Sequence, residues 1–287
     1  PPWLWRWAKT NSREVVMSEQ KKVGVGLVGC GTRLTGVVHG AIRGQDNIEV
    51  VALCDVSEDA LTRAKERLNC PDATIYKTSD ELAADPKVDW VCVGSWNAYH
   101  KEHIMSALKA DKHVFTEKPL TTNIDDCVAL KEAIDKHTKL FSMGFVLRYA
   151  PFYKRIKQLI DEGTIGKLIS FEFNETLEFN HGGFIHQDWR RLTKYAGSHL
   201  LEKCCHDIDL ANWFVGSRAA RVASFGGLDF YKPENEKHMQ RLGKKLNQQF
   251  TKVDHDMQLA CRLQSDFLPD KLPAVPPART LRGGRRW

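Results

Sequence analysis

The sequence predicts an α/β protein: a doubly wound parallel sheet in its N-terminal half, followed by an α+β substrate domain that is expected to be truncated. Three observations carry this. Short apolar runs alternate with helical patterns from Lys22 to Phe145, the rhythm of βαβ units. A Gly29-Cys30-Gly31 turn closes the first apolar run and opens a helix. Asp55 closes the second run, near the usual offset of about 20 residues between such glycines and a ribose-binding carboxylate. Together they predict a Rossmann domain.

The elements follow in order. Lys22–Cys30 is rich in Val and Leu, as buried parallel strands are. Thr32–Ile42 reads as a helix and Ile48–Val56 as the second strand. Ser57 is a candidate N-cap for a helix over Glu58–Asn69, which Cys70-Pro71 stops. Ala73–Lys77 is a weak strand and Asp80–Ala84 a short helix. Val88–Gly94, Ala98–Lys109, His113–Thr116, Thr121–His137 and Leu140–Phe145 continue as strand, helix, strand, helix, strand. Pro151–Glu162 is helical by the spacing of Tyr153, Ile156, Leu159 and Ile160. Lys167–Leu177 alternates Ile169, Phe171 and Phe173, the pattern of a half-buried strand. Ser198–Trp213 reads as a helix, Ala220–Phe230 as a strand and Asn235–Gln249 as a polar helix. The expected organisation is a tail over 1–21, a Rossmann domain over 22–145, a second domain over 146–269 and a basic, disordered tail over 270–287.

Composition limits the function classes. The net charge is +6 over 287 residues. Arg6, Lys9, Arg13 and Lys21 against Glu14 and Glu19 leave +2 in the first tail. Lys271, Arg279, Arg282, Arg285 and Arg286 against Asp270 leave +4 in the last. The body is therefore neutral, which argues against a nucleic-acid partner. No apolar run approaches the roughly 18 residues of a membrane span. The eight cysteines include no C-x-x-C pair, so no metal is expected, and they fit a reduced, cytoplasmic setting. The first 16 residues do not read as a signal peptide, and Met17 reads as a natural start.

Two registers compete for the phosphate-binding glycines. Gly24, Gly26 and Gly29 match G-x-G-x-x-G literally, yet almost nothing precedes them to form a strand. Gly29 and Gly31 fit better, because they follow the strand and open the helix, whose N-terminal N–H groups suit a pyrophosphate. Position 34 is Leu where a third small residue is usual. Asp55 can accept from ribose hydroxyls and would repel a 2′-phosphate, so NAD is expected, with NADP the alternative. Further on, Lys118 follows a buried strand within Glu117-Lys118-Pro119. The carboxyl ends of such strands are where ligands sit, and a bond to proline can be cis.

The segments GLVGCGTR, ALCDV, VDWVCVGSWNAYHKEHIMSALKADKHVFTEKPL, GFVLRYAP, IDEGTIGKLISFEF, DWRRL and LLEKCCHDIDLANWF resemble the Gfo/Idh/MocA oxidoreductases, the glucose-fructose oxidoreductase and inositol dehydrogenase family. The likeness covers about 22–232. It implies an NAD(P)-dependent dehydrogenase of a sugar, polyol or related hydroxyl compound. Lys118 matches the family's active-site lysine. Gly29, Gly31, Thr32, Arg33, Asp55 and Glu117 fall in the cofactor half, Asn97 and His100 match a segment near the nicotinamide ribose, and Arg148 matches an arginine near the pocket. Trp96 stands where the family often has proline. Glu202 and His206 match a D-x-x-x-H pair, with Glu for Asp. Lys203, Trp189 and Arg190 are candidates for the substrate.

The implied chemistry is general. Glu202 and His206 are four apart on one helix face, and a carboxylate beside an imidazole tunes it as a base. His206 would take the hydroxyl proton while hydride leaves the same carbon, and Lys118 would stabilise the oxygen. The alternatives are a non-catalytic nucleotide-binding homologue, suggested by the polar sequence after Pro233, and NAD-dependent glycosidase-type chemistry. His181, His186 and Trp189 fall in a Gly-rich loop that either covers a sugar or lies on the surface. Family dimers generally use the second domain's sheet, so the resemblance makes a homo-oligomer depend on strands that the polar sequence after Pro233 is not expected to supply.

Overall fold

The computed structural model describes residues 22–176, 189–227, 232 and 234. The expected helix over 235–249, the strand end at 228–230, both tails, His181 and His186 lie outside them.

The chain divides into two compact units between Phe145 and Val146. The first opens with β1 (Val23–Val28), α1 (Thr32–Ile42), β2 (Ile48–Cys54) and α2 (Glu58–Leu68). It continues with β3 (Thr74–Tyr76), α3 (Ser79–Ala84), β4 (Trp90–Val93) and α4 (His100–Lys109), and closes with β5 (His113–Thr116), α5 (Ile124–Asp135) and β6 (Phe141–Met143). The six strands lie in the order β3-β2-β1-β4-β5-β6, and every pair is parallel. Strand order reverses between β1 and β4, so the crevice at their carboxyl ends is the switch point where such sheets bind ligands.

Both sheet faces are covered, as a parallel sheet requires. Val25, Leu27, Leu53 and Cys92 pack with α1 and α2 through Leu34, Val38, Leu61 and Leu68. Val28, Ala52, Val91, Val93 and Val114 pack on the opposite side with Leu82, Ile104 and Leu130 from α3, α4 and α5. Each fully buried Leu or Ile contributes roughly 1.5–3 kcal/mol. A β-bulge between Val25 and Gly26 shifts the β1–β2 register by one residue. The two strand glycines have packing roles: a Cβ on Gly26 would come within 2.7 Å of Leu82, and one on Gly24 within 1.8 Å of the Lys87 carbonyl.

Helix ends follow local chemistry. Ser57 accepts from Ala60 N–H at the start of α2, and Thr78 with Glu81 forms a capping box on α3. α5 begins three residues later than the sequence suggests, because Asn123 caps it through Asp126 N–H.

The second unit contains α6 (Pro151–Asp161), α7 (Thr193–Ala196) and α8 (His199–Val215, capped by Ser198). Arg148 binds Asp209 of α8 through two bonds, at 2.7 and 2.6 Å. The two strands expected here do not form among the described residues. Residues 167–176 and 221–227 have no ladder partner among the described residues, and Ile169, Phe171, Phe173, Val222 and Phe225 are all exposed. Alternation gives a strand its two faces, but only a neighbouring strand supplies the hydrogen bonds that define one.

Candidate active site

The glycine turn is built as its register requires. Gly29 has φ +85, and a Cβ there would lie 2.4 Å from Ser95 N. Only glycine fits that left-handed backbone and the close approach of the turn after β4. Gly31 is different: its φ is −65, and nothing lies within 4 Å of where its Cβ would be. It is the N-cap of α1 and provides no side-chain hydrogen bond. Ser57, Thr78, Asn123 and Ser198 do cap their helices. The first N–H groups of α1, at Thr32 and Arg33, thus face an open cradle suited to an anion.

Asp55 grips this turn. Its Oδ2 accepts from Cys30 N–H at 2.6 Å and its Oδ1 from Ser57 N–H at 2.8 Å. A carboxylate has about four lone-pair positions, so these two bonds do not exhaust its capacity to accept. Val56 beside it is fully exposed. Cys30 lies buried within the turn; burial, then the Asp55 charge, pushes its thiol up to about 12. It is therefore an inert packing group.

On the other side of the switch point, Glu117 follows β5 and is 4% exposed. Its Oε1 accepts from Arg33 Nε at 3.0 Å, an ion pair between residues 84 apart that ties the start of α1 to the end of β5. Glu117 Oε2 accepts from Lys118 N–H at 3.3 Å. The Lys118-Pro119 peptide is cis, one of the two forms the sequence allowed. Asn97 lies buried in a 3-10 turn over Asn97–Tyr99. His100 lies beneath that turn rather than on its surface, with both ring nitrogens near carbonyl oxygens.

In the second unit, Glu202 is 6% exposed, and its Oε1 is 3.6 Å from Arg190 Nε. The Arg190 guanidinium lies 4.3 Å from the Trp189 ring centroid. Three of the expected residues thus form one group. Lys203 pairs with Glu175 at 3.0 Å. Arg148 is committed to Asp209, so its guanidinium braces α8. Sequence reasoning missed the cluster of Glu175, Cys204 and Asp207, whose ligand-type atoms lie within 4.8 Å of one another. Burial, then a hydrogen bond and the charge of Glu175, push the Asp207 carboxyl up to about 6.

Residues 23–145 match the family model described as "Oxidoreductase family, NAD-binding Rossmann fold". Residues 153–267 match the "GFO/IDH/MocA C-terminal domain". The chain belongs to the Gfo/Idh/MocA oxidoreductase family. Among its Gfo/Idh/MocA relatives is an inositol 2-dehydrogenase/D-chiro-inositol 3-dehydrogenase of Lactiplantibacillus plantarum, 30% identical over 78% of this chain and 59% of that one. An inositol 2-dehydrogenase of Gluconacetobacter diazotrophicus is 36% identical over 67% of this chain and 54% of that one. The scyllo-inositol dehydrogenase of Lactobacillus casei, solved with NAD(H) and scyllo-inositol, is 28% identical over 68% of this chain and 57% of that one, with a TM-score of 0.55. The chain thus spans little more than half the length of these Gfo/Idh/MocA relatives. Among the described residues no helix is long and apolar enough to cross a membrane.

Proposed function

We propose that this chain is an NAD-dependent dehydrogenase that oxidises a CH–OH group of an inositol-like polyol or a sugar. The observation that carries the reading is the open cradle at Gly31, where α1 begins at the switch point with its N–H groups uncapped and Asp55 alongside. The residues fit a dinucleotide: Gly29, Gly31, Thr32 and Arg33 would hold the pyrophosphate, and Asp55 the adenosine ribose. Val56, exposed next to Asp55, offers an apolar bed for the adenine. The Asp55 charge favours NAD over NADP.

The cofactor supplies the hydride acceptor. Lys118 donates a hydrogen bond to the substrate oxygen as negative charge develops there. On the second unit His206 is the base that takes the hydroxyl proton, and Arg190, Trp189 and Lys203 bind the substrate. Glu202 keeps Arg190 in place through the ion pair described above. The reading takes 22–145 as the cofactor domain and 146–269 as the substrate domain. The free cysteines among the described residues support a cytoplasmic location.

Calorimetric titration with NAD and NADP, followed by a panel of inositols, polyols and sugars read by cofactor absorbance, tests it. The expected result is tighter NAD binding and reduction by an inositol or a related polyol, abolished in Lys118→Ala with NAD binding retained. Binding without reduction by any compound would leave a non-catalytic nucleotide-binding protein.

A further inference from the structure

His100 has a carbonyl oxygen at hydrogen-bond distance from each of its ring nitrogens. It opens α4 and is 1% exposed. Its Nδ1 lies 2.8 Å from the Pro119 carbonyl oxygen, and its Nε2 lies 3.0 Å from the Ser95 carbonyl oxygen. Carbonyl oxygens only accept, and a neutral ring carries a single N–H. Whichever tautomer formed, one ring lone pair would face a carbonyl lone pair at hydrogen-bond distance. The imidazolium donates at both nitrogens.

His103, one turn along the same helix, provides the contrast. Its Nδ1 lies 2.8 Å from Ser95 Oγ, a hydroxyl that can donate or accept, so a neutral ring is satisfied there. Burial lowers its pKa, against the charges of Glu102 and Asp80. The elements packed around α4 carry Asp80 and Glu81 on α3, Asp125, Lys131, Glu132, Asp135 and the Lys101-paired Asp126 on α5, His113 on β5, and Glu117 with Lys118 after it. Glu102 and His103 belong to α4 itself. Two carbonyl acceptors, one at each ring nitrogen, hydrogen-bond the charged form of the ring and favour it.

We propose that His100 is a buried imidazolium and a positioning residue: its two N–H groups pin the turn after β4, at Ser95, to the turn after β5, at Pro119. Lys118 immediately precedes Pro119, so the clamp fixes the backbone that carries the lysine. The clamp stands on geometry alone, whereas its consequence for catalysis rests on the dehydrogenase reading above.

The test uses the full chain labelled with 15N-histidine. At pH 8, His100 is expected to show two protonated ring nitrogens, both with exchange-protected N–H protons, while His103 shows one. A bare ring nitrogen on His100 at pH 8 would overturn the proposal. In a second arm, His100→Gln, which cannot bridge both carbonyls in the ring geometry, is expected to lower kcat about 100-fold, the scale of a small misplacement of a catalytic group, and to weaken NAD binding by a much smaller factor. Wild-type kcat in that variant would remove the positioning role. Should the wild type turn over no substrate, the dehydrogenase reading fails on its own, and the nitrogen resonances still decide the clamp.

Discussion

Gly29 and Gly31 do opposite things two residues apart, and the difference can be measured. An alanine at Gly29 meets both a left-handed backbone and the Ser95 main chain, so Gly29→Ala is expected to cost at least about 2 kcal/mol of stability. An alanine at Gly31 meets no protein atom. Gly31→Ala is expected to melt within about 0.5 kcal/mol of the wild type yet bind NAD at least about tenfold more weakly, because its methyl occupies the cradle. Equal NAD affinity in that variant would contradict the site assignment. The glycine register was legible in the sequence because a strand must precede the turn. The ties that Asp55 makes to Cys30 and Glu117 makes to Arg33 were not, since they join residues far apart in the chain that only the folded sheet brings together. His100, too, was named for its motif, and its two carbonyl partners come from turns that sequence spacing does not link.

Helix α8 carries two separable electrostatic arrangements. Asp209, 9% exposed, receives both bonds from Arg148. Arg148→Ala leaves that carboxylate without them and is expected to cost about 1–3 kcal/mol, part of it recovered in the double variant with Asp209→Asn. Two independent, additive losses in chemical denaturation would contradict the pairing. Asp207 works the other way. Its folded carboxyl titrates near about 6 against an ordinary 3.8, so between those values the folded state holds more protons than the unfolded one. Stability from this group therefore falls as pH rises from about 4 to about 6 and stays reduced above. Asp207→Asn is expected to gain melting temperature over the wild type progressively across that window, with little difference at pH 4. A constant offset at all pH values would rule out the linkage. The order of elements in the first unit was readable from apolar runs and cap residues. The run Ile169, Phe171, Phe173 forms no strand among the described residues, because periodicity reports which side chains share a face and says nothing about whether a partner strand is there.

At the scale of the molecule, the two units differ in the apolar surface that their described residues show. The extended segments of the second display Ile169, Phe171, Phe173, Val222 and Phe225 to solvent, whereas isolated monomers seldom expose large contiguous apolar areas. Concentration-dependent self-association is expected in light scattering, reduced by Phe171→Ser together with Phe225→Ser; a monodisperse monomer at high concentration would argue otherwise. The Arg33–Glu117 bridge has a consequence for the first unit as a whole. Arg33 has one guanidinium, and an anion that engages its Nε must displace Glu117, the residue bonded to the Lys118 amide. If the proposed dinucleotide takes Arg33 Nε, its binding and the setting of Lys118 share one free energy, and by reciprocity a ligand at Lys118 would change cofactor affinity by the same factor.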